Sequence, residues 1–249
     1  MLNGKTTVIT GCLQGIGRCT MDLFAANSGR GTIFACVQYK TEEFVSHIDK
    51  LSKTYGVEII PVYFDMSDNT AIKNAAREIL KSKKNIDALV NIAGMNRDAL
   101  FSMVTYEDLQ ATFQINFFSQ IIFSQYIVKL MQKSNNGGSI INTASISGLD
   151  GNSGQLAYAA SKSALIAATK TMALELGEKQ IRVNAIAPGI IDTNMTSALA
   201  SDIINKKLNR SKMNRKGLPE EVAKTILFLA SDMSAHITGQ VIRIDGGMA

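Results

Sequence analysis

The sequence predicts an α/β fold in which helices cover both faces of a doubly wound, mainly parallel sheet of seven strands. Short β-branched and apolar runs alternate with longer helical patterns along the chain, and this alternation is typical of βαβ units. The strand runs are almost continuously apolar, as expected for strands that are buried on both faces. With 249 residues, 46% of them hydrophobic, we expect a single domain over residues 1–249 with a large core.

The expected elements follow each other in regular alternation. Strands are predicted at Thr6–Thr10, Thr32–Val37, 57–64, Ala88–Asn91, 139–143, 182–186 and Val241–Ile244. Helices are predicted at 16–28, 41–54, 68–82, 105–133, 156–178 and 219–231. Residues 107–130 and 156–176 carry apolar or small side chains on nearly every helix face, and such helices are usually buried on all sides. We therefore expect a homo-oligomer, a dimer or a tetramer, that buries them between subunits.

The charge of the chain excludes little. Its 26 basic and 21 acidic residues give a formal net charge of +5, which slightly favours anionic partners. Because no dense basic stripe or nucleic-acid reading motif is present, we do not expect a nucleic-acid partner. One basic cluster could attract a phosphate-bearing ligand or form a solvated helix face, and we favour the second interpretation; it comprises Lys206, Lys207, Arg210, Lys212, Arg215 and Lys216.

The cysteines and the apolar segments indicate the compartment. Cys12, Cys19 and Cys36 are odd in number and lack metal-type spacing, so we expect neither a disulfide framework nor a metal site. A reducing compartment fits best. The first residues show no apolar signal core, and no apolar run is long enough to span a bilayer. The expectation is a cytoplasmic protein without a membrane partner.

The first strand ends in a glycine-rich loop, Thr10-Gly11-Cys12-Leu13-Gln14-Gly15-Ile16-Gly17. Gly11 permits a tight turn, Gly15 allows a pyrophosphate to approach the backbone, and Gly17 lets helix and strand pack closely. The N–H groups of the following helix can then bind phosphate. Three glycines alone would also fit an ordinary turn, but their place between the first strand and the first helix predicts dinucleotide binding. Cys12 is interpreted as a small packing residue rather than a redox-sensitive thiol.

Tyr158 and Lys162 are four residues apart, on one face of a predicted helix. Free tyrosine has a pKa of about 10, which is too high for efficient proton exchange near neutrality. A nearby ammonium group favours the phenolate and lowers this pKa, so the pair can serve as an acid in carbonyl reduction or a base in alcohol oxidation. By itself the spacing would also fit an amphipathic helix face.

A small polar segment precedes this helix. The strand 139–143 runs into Ala-Ser145, and catalytic groups in open parallel sheets collect at such carboxyl ends. The Ser145 hydroxyl could donate to a substrate oxygen, and Ser147 is a competitor for this role. Asn116 is a polar residue within an apolar helix pattern, which calls for a reason. The two histidines, His47 and His236, have no hydrolase motif around them.

These motifs together resemble the short-chain dehydrogenase/reductase family, which has a single-domain Rossmann fold. The family loop reads Thr-Gly-x-x-x-Gly-x-Gly, and its catalytic set of Asn, Ser, Tyr and Lys matches Asn116, Ser145, Tyr158 and Lys162. The Ser-to-Tyr separation selects Ser145 over Ser147. In the family the lysine also binds the nicotinamide ribose, and the asparagine holds a backbone geometry and a water linked to the lysine. The resemblance thus implies an oxidoreductase with a nicotinamide cofactor.

The resemblance also implies a set of cofactor contacts. They are Gly11, Leu13, Gln14, Gly15, Ile16, Gly17, Lys40, Asp65, Met66, Asn91, Ala93, Gly94, Tyr158, Lys162, Pro188, Gly189, Ile191 and Thr193. Asp65 would bind the adenine amino group, although a turn or capping role also fits it. Ile92 stands where the family has a second asparagine, so any side-chain contact of that residue is lost.

The second strand favours NADP(H) over NAD(H). An NAD-specific site usually places an acid at the end of this strand to hold the ribose hydroxyls, and the chain has Gln38-Tyr39-Lys40 there. Lys40 could meet a 2′-phosphate, or it could be a solvated surface lysine. Against NADP(H), Gln14 stands where many NADP-using relatives have a base.

Within the family, the chain looks most like 3-oxoacyl-[acyl-carrier-protein] reductases of fatty acid biosynthesis. Two stretches carry this likeness, residues 96–103 and residues 151–158, and Gln155 is expected near the substrate. Leu174 replaces an arginine with which those reductases usually dock the carrier protein. Despite this departure, the likeness makes an acyl thioester the leading substrate. The alternative is a sugar or polyol, oxidised by a dehydrogenase on the same scaffold. A non-catalytic cofactor sensor is an alternative of another class, although such proteins often lack the Tyr or Lys present here.

Overall fold

A computed structural model describes residues 1–134, 136–197, 204 and 208–248. The strands are Thr6–Thr10 (β1), Thr32–Val37 (β2), Glu58–Tyr63 (β3), Ala88–Asn91 (β4), Gly138–Thr143 (β5), Ile181–Pro188 (β6) and Val241–Ile244 (β7). They lie in one sheet, in the order β3-β2-β1-β4-β5-β6-β7, and each pairing between them is parallel. This confirms the predicted α/β class and doubly wound parallel sheet.

The helices of the described residues are Gly15–Ser28 (α1), Glu42–Tyr55 (α2), Asn69–Lys81 (α3), Tyr106–Phe113 (α4), Ser119–Ser134 (α5), Ile146–Asp150 (α6), Leu156–Leu176 (α7), Asn194–Ser197 (α8) and Pro219–Ala230 (α9). Local sequence sets several of their ends. The Thr41 side chain accepts a hydrogen bond from the Phe44 N–H at 3.1 Å, which caps the start of α2. Gly56 ends that helix with a left-handed backbone.

Two apolar layers hold the helices against the sheet. Successive strand residues point to opposite faces, so Ile9 packs in the layer with α1, α2 and α9, while Val8 packs in the layer with α3 and α5. Helix α7 packs mainly along β6. Among the described residues, no helix is both long and apolar enough to cross a membrane.

The structure corrects several predicted boundaries. The helix predicted at 105–133 is divided into α4, a π-helical turn at Gln114–Phe118, and α5. Strand β3 is shorter than the predicted 57–64, and β6 extends beyond the predicted 182–186. The short helices α6 and α8 were not expected, because each has too few residues to show a helical period.

The strand order reverses beside β1, which pairs with β2 on one side and with β4 on the other. The connections after β1 and β4 therefore leave the sheet in opposite directions. A crevice opens at their carboxyl ends, which is where open α/β sheets bind ligands.

Candidate active site

A cavity of about 660 Å³ occupies this crevice. The volume lies within the range of roughly 300–1,000 Å³ that is usual for cofactor and ligand sites. Most of the residues that the sequence assigns to a cofactor or to catalysis line it: Gly11, Leu13, Gln14, Gly15, Ile16, Gly17, Asp65, Met66, Ala93, Gly94, Ser145, Tyr158, Lys162, Pro188, Gly189, Ile191 and Thr193.

Four of the assigned residues do not line this cavity. Lys40 is exposed, beyond the lining residues Gln38 and Tyr39. Asn91 is buried, and its Nδ2 donates hydrogen bonds to the side chains of Ser124 and Asn142, each at 2.9 Å. The other two, Asn116 and Gln155, are described below.

The glycine loop leaves its helix open for a phosphate. Gly11 has a φ of 75°, and a Cβ added at Gly17 would lie 2.0 Å from the Gly11 carbonyl oxygen, so neither position accepts a side chain without distortion. The Gln14 side chain does not cap α1; its Oε1 accepts a hydrogen bond from Asn194 at 3.0 Å. The first-turn N–H groups of α1 need partners, and a diphosphate fits this cradle.

Thr10 is a residue of the site to which sequence reasoning gave no separate role. Its Oγ1 accepts hydrogen bonds from the Ile92 N–H at 3.0 Å and the Ala93 N–H at 3.1 Å. These bonds fix the end of β4 against the end of β1, at the bottom of the crevice. The threonine of the glycine-loop motif was the available signal.

Asp65 is held as a carboxylate at the far end of the cavity. It accepts hydrogen bonds from the Ser67 N–H at 2.7 Å and from Gln38 Nε2 at 3.1 Å. The Ser67 N–H is the main cause that lowers the pKa of Asp65. At the end of β2, where an NAD-specific site usually has an acid, the chain therefore has the neutral side chain of Gln38, which donates to Asp65.

Lys162 is a buried ammonium donor at the other end of the cavity. Its Nζ donates to the Thr143 carbonyl oxygen at 2.7 Å and lies 5.7 Å from the centroid of the Tyr158 ring. Burial lowers the pKa of Lys162 to about 8. The four-residue spacing on α7 thus places both groups at one site, as the sequence predicts.

Tyr158 differs from expectation in the direction of its pKa. The sequence predicts a pKa lowered by Lys162, but burial raises the pKa of Tyr158, more than a hydrogen bond with the Ser145 side chain lowers it. Asp98 also raises it. In the protein alone, Tyr158 is therefore a protonated phenol at neutral pH, and Ser145 lines the cavity with it.

Asn116 supports the site from behind. It lies fully buried in the π-helical turn. Its Nδ2 donates to the Met95 carbonyl at 2.9 Å and to Ser161 Oγ at 3.1 Å, and its Oδ1 accepts from the Met95 N–H at 2.8 Å. Asn116 therefore joins the segment after β4 to the helix that carries Tyr158 and Lys162, which explains a polar residue in this apolar helix pattern.

Gln155 lines a second, smaller cavity of about 100 Å³, which shares Ser145 and Tyr158 with the first. Its Oε1 accepts hydrogen bonds from Ser147 Oγ at 2.9 Å and Asn152 Nδ2 at 2.8 Å. Ser147 lines only this second cavity, whereas Ser145 lines both cavities together with Tyr158, which favours Ser145 over Ser147.

The basic cluster divides into parts with different surroundings. Lys206 and Lys207 lie outside the described residues. Arg215 forms a two-bond ion pair with Glu221, at 2.8 and 2.6 Å, and Lys216 pairs with Asp192 at 3.0 Å. These pairs favour the solvated-surface interpretation for this part of the cluster.

Cys12 is buried inside the glycine loop. Its Sγ donates to the Ile9 carbonyl at 3.2 Å. Burial raises the pKa of the Cys12 thiol far above its ordinary value, which makes it unreactive. This supports the packing interpretation of the residue.

Comparison with known proteins agrees with this geometry. A family model described as enoyl-(acyl carrier protein) reductase matches residues 11–249. The chain belongs to the short-chain dehydrogenase/reductase family. Members of this family are oxidoreductases that use a nicotinamide cofactor.

Individual relatives match over almost their whole length. A protein of Thermotoga maritima named 3-oxoacyl-[acyl-carrier-protein] reductase is 41% identical over 247 residues, which cover 99% of this chain and 98% of that protein. Proteins of the same name from Chlamydia trachomatis and Aquifex aeolicus are 38% and 35% identical, and the matches cover 100% and 99% of this chain and 99% and 98% of theirs.

Gly17→Ala tests the cofactor cradle. We expect a loss of affinity for the nicotinamide cofactor of roughly 5- to 150-fold, because overpacking a tight site costs about 1–3 kcal/mol. Fluorescence titration measures the affinity, and circular dichroism checks the fold. Gly177→Ala is the control, since its Cβ would meet nothing within 4 Å and its φ is −58°. Unchanged affinity in Gly17→Ala would contradict the cradle.

The pKa of Lys162 predicts how stability changes with pH. An unfolded lysine has a pKa of 10.5 and the folded one about 8, so between these values the unfolded chain binds more protons and stability rises with pH. Relative to Lys162→Met, the wild-type free energy of unfolding should rise by about 1.5 kcal/mol from pH 8 to pH 9.5. Urea unfolding measures the difference, and a constant difference would refute the shifted pKa.

Proposed function

We propose that the chain reduces the ketone of a 3-oxoacyl thioester to a 3-hydroxyacyl thioester. The observation that carries this proposal is one cavity wall that combines the protonated hydroxyl of Tyr158, the neighbouring side chain of Ser145, and the buried ammonium of Lys162. The relatives named 3-oxoacyl-[acyl-carrier-protein] reductases support the choice of substrate.

The chain's own groups would handle the oxygen and the proton. Ser145 donates a hydrogen bond to the substrate carbonyl oxygen and holds it beside Tyr158. Tyr158 gives its proton to that oxygen as the carbonyl carbon gains a hydride, which leaves a phenolate. The Lys162 ammonium stabilises the phenolate, and Asn116 positions the helix that carries both residues. The substrate therefore gains one hydride and one proton, and Tyr158 is reprotonated from solvent.

The bound nicotinamide cofactor supplies the hydride in this reaction. The glycine loop from Gly11 to Gly17 would hold its diphosphate, Asp65 and Met66 would hold its adenine, and Lys162 would hold its ribose. Pro188, Gly189, Ile191 and Thr193 would close the other wall of the cavity. Asn91 supports the site only indirectly in this proposal, because it is buried and its Nδ2 donates to Ser124 and Asn142.

We propose NADPH rather than NADH as the cofactor. Gln38 leaves no carboxylate at the end of β2 to bind free ribose hydroxyls. Lys40 is exposed and follows the lining residues Gln38 and Tyr39, and it would supply a cation for a 2′-phosphate. The opposing feature is the neutral Gln14, which is bonded to Asn194.

We propose that the chain forms a homo-oligomer through α4, α5 and α7. In the single chain, Leu174 is 84% exposed and Phe118 is 47% exposed. Phe113, Phe117 and Phe118 form a cluster of aromatic contacts beside α7. An apolar surface of this kind is typical of an interface. The oligomeric state is measurable by sedimentation equilibrium.

A cytoplasmic location is part of the same proposal. Cys12, Cys19 and Cys36 are free thiols, which fits a reducing compartment.

Tyr158→Phe tests the proton donor. Wild type should oxidise NADPH with acetoacetyl thioester, and the variant should lose roughly 10²–10⁴-fold in kcat with NADPH binding retained, because it lacks a general acid. Absorbance at the NADPH band measures turnover. Crotonyl thioester, a panel of sugars and small ketones are each tested in place of acetoacetyl thioester. Near-normal turnover in Tyr158→Phe would overturn the proposed mechanism. If wild type turned over only crotonyl thioester or sugars, the proposed 3-oxoacyl thioester substrate would be wrong.

Lys40→Ala tests the choice of cofactor. We expect the KM for NADPH to rise by about tenfold and the KM for NADH to stay unchanged, because one charge-assisted contact with the 2′-phosphate is worth about 1.4 kcal/mol. Lys53→Ala, at an exposed position of α2, is the matched control. An equal effect on both cofactors, or none, would count against a 2′-phosphate contact.

A further inference from the structure

The wall of the second cavity is made by segments distant in sequence. One is the end of α6 with the loop after it, which contributes Asp150, Asn152 and Gln155; another is the C-terminal segment, which contributes Met248. The cavity adjoins Ser145 and Tyr158, so in the proposed reaction the rest of the substrate would extend into it when the carbonyl lies at Tyr158.

Arg243 on β7 joins these two segments without lining either cavity. Its Nη1 and Nη2 donate to the two carboxylate oxygens of Asp150 at 3.0 and 2.7 Å. Its Nε donates to Asp245 Oδ2 at 2.8 Å, and Nη2 also donates to the Met248 carbonyl at 3.1 Å. One guanidinium thus connects two carboxylates and the backbone of the C-terminal turn.

The geometry is specific to arginine. A planar guanidinium can bind one carboxylate through two parallel bonds and still donate elsewhere, whereas a lysine ammonium is a single point of charge. Without Arg243, the carboxylates of Asp150 and Asp245 lose the hydrogen bonds that they accept from its guanidinium. The positive charge of Arg210, which lines the same cavity, also acts on Asp150, but Arg243 makes the bidentate contact.

The connection leads from Asp150 to the substrate side. Asp150 is followed directly by Gly151 and Asn152, and Asn152 donates to Gln155, which also accepts from Ser147. A separate backbone bond holds the segment after β6, because the N–H of Gly189, which lines both cavities, donates to the backbone carbonyl of Ile244 at 2.9 Å. Loss of the Arg243 side chain leaves this backbone bond in place.

We infer that Arg243 is a positioning residue that acts through Asp150 to fix the substrate wall of the active site. It controls the affinity for the carbonyl substrate rather than hydride chemistry or cofactor binding. The inference rests on the proposed carbonyl reduction and adds a residue that contacts neither substrate nor cofactor.

The test compares Arg243→Gln, Arg243→Lys and Asp150→Asn with wild type. We expect the KM for acetoacetyl thioester to rise roughly 3- to 10-fold in Arg243→Gln and Asp150→Asn, the change expected for about 0.7–1.4 kcal/mol from a bidentate pair in a network. Arg243→Lys should give a smaller rise. The kcat should stay within about twofold, and the NADPH Kd without substrate should stay unchanged. The double variant Asp150→Asn/Arg243→Gln should have a KM similar to that of Arg243→Gln, because the Asp150–Arg243 pair through which Arg243 acts is already lost in that single variant.

Lys84→Gln is the matched control for loss of an ion pair. Lys84 pairs with Glu58 at 2.8 Å at the start of β3, on the opposite edge of the sheet. It should lower stability no more than the Arg243 variants do and leave both kinetic constants unchanged.

Two results would overturn the inference: a KM unchanged in both Arg243→Gln and Asp150→Asn, or a fall in kcat and in NADPH affinity as large as the change in KM. The milder Asp150→Asn keeps the test decisive if Arg243→Gln does not fold. Failure of the proposed function is recognised separately, because wild type would then not reduce acetoacetyl thioester. The same KM comparison would in that case be made with whichever carbonyl compound wild type reduces.

Discussion

The buried ammonium of Lys162 is the constraint on which the rest of the site depends. Its Nζ has a carbonyl oxygen, that of Thr143, as its close partner, and within the described residues it forms no salt bridge. A charge held in this way costs stability, which appears in the lowered pKa of the group. In the proposed mechanism, this cation is available for the negative charge that arises when Tyr158 gives up its proton.

The parallel sheet makes this arrangement geometrically simple. The carboxyl ends of β1, β4, β5 and β6 meet at one edge, so the glycine loop, the segment around Met95 and the Ser145 loop all face one crevice. The π-helical turn at Gln114–Phe118 adds the lateral connection, since it turns Asn116 toward Met95 and Ser161. Turns of this type often occur at functional sites.

The sequence was sufficient for features that depend on local pattern. Apolar runs predicted the strands, the glycine spacing predicted the cradle, and the four-residue spacing placed Tyr158 beside Lys162. Features that depend on distant partners could not be predicted in this way. The π-helical turn that divides helix 105–133 carries Asn116, which bonds to Met95. The pKa of Tyr158 depends on how deeply its phenol is buried, and Arg243 and Asp150 are 93 residues apart. The side chains of Asn91 and Gln155 likewise bind partners that no motif specifies.

The central claim is that this site delivers a hydride to a ketone carbon while Tyr158 protonates its oxygen. The most direct measurement uses NADPH with deuterium at both hydrogen positions of C4 and follows the label during reduction of acetoacetyl thioester, with the product analysed by NMR and mass spectrometry. The account predicts one deuterium on C3 of the 3-hydroxybutyryl thioester and a hydroxyl proton exchanged with solvent. A 3-hydroxy product without deuterium at C3, or no ketone reduction at all, would contradict it.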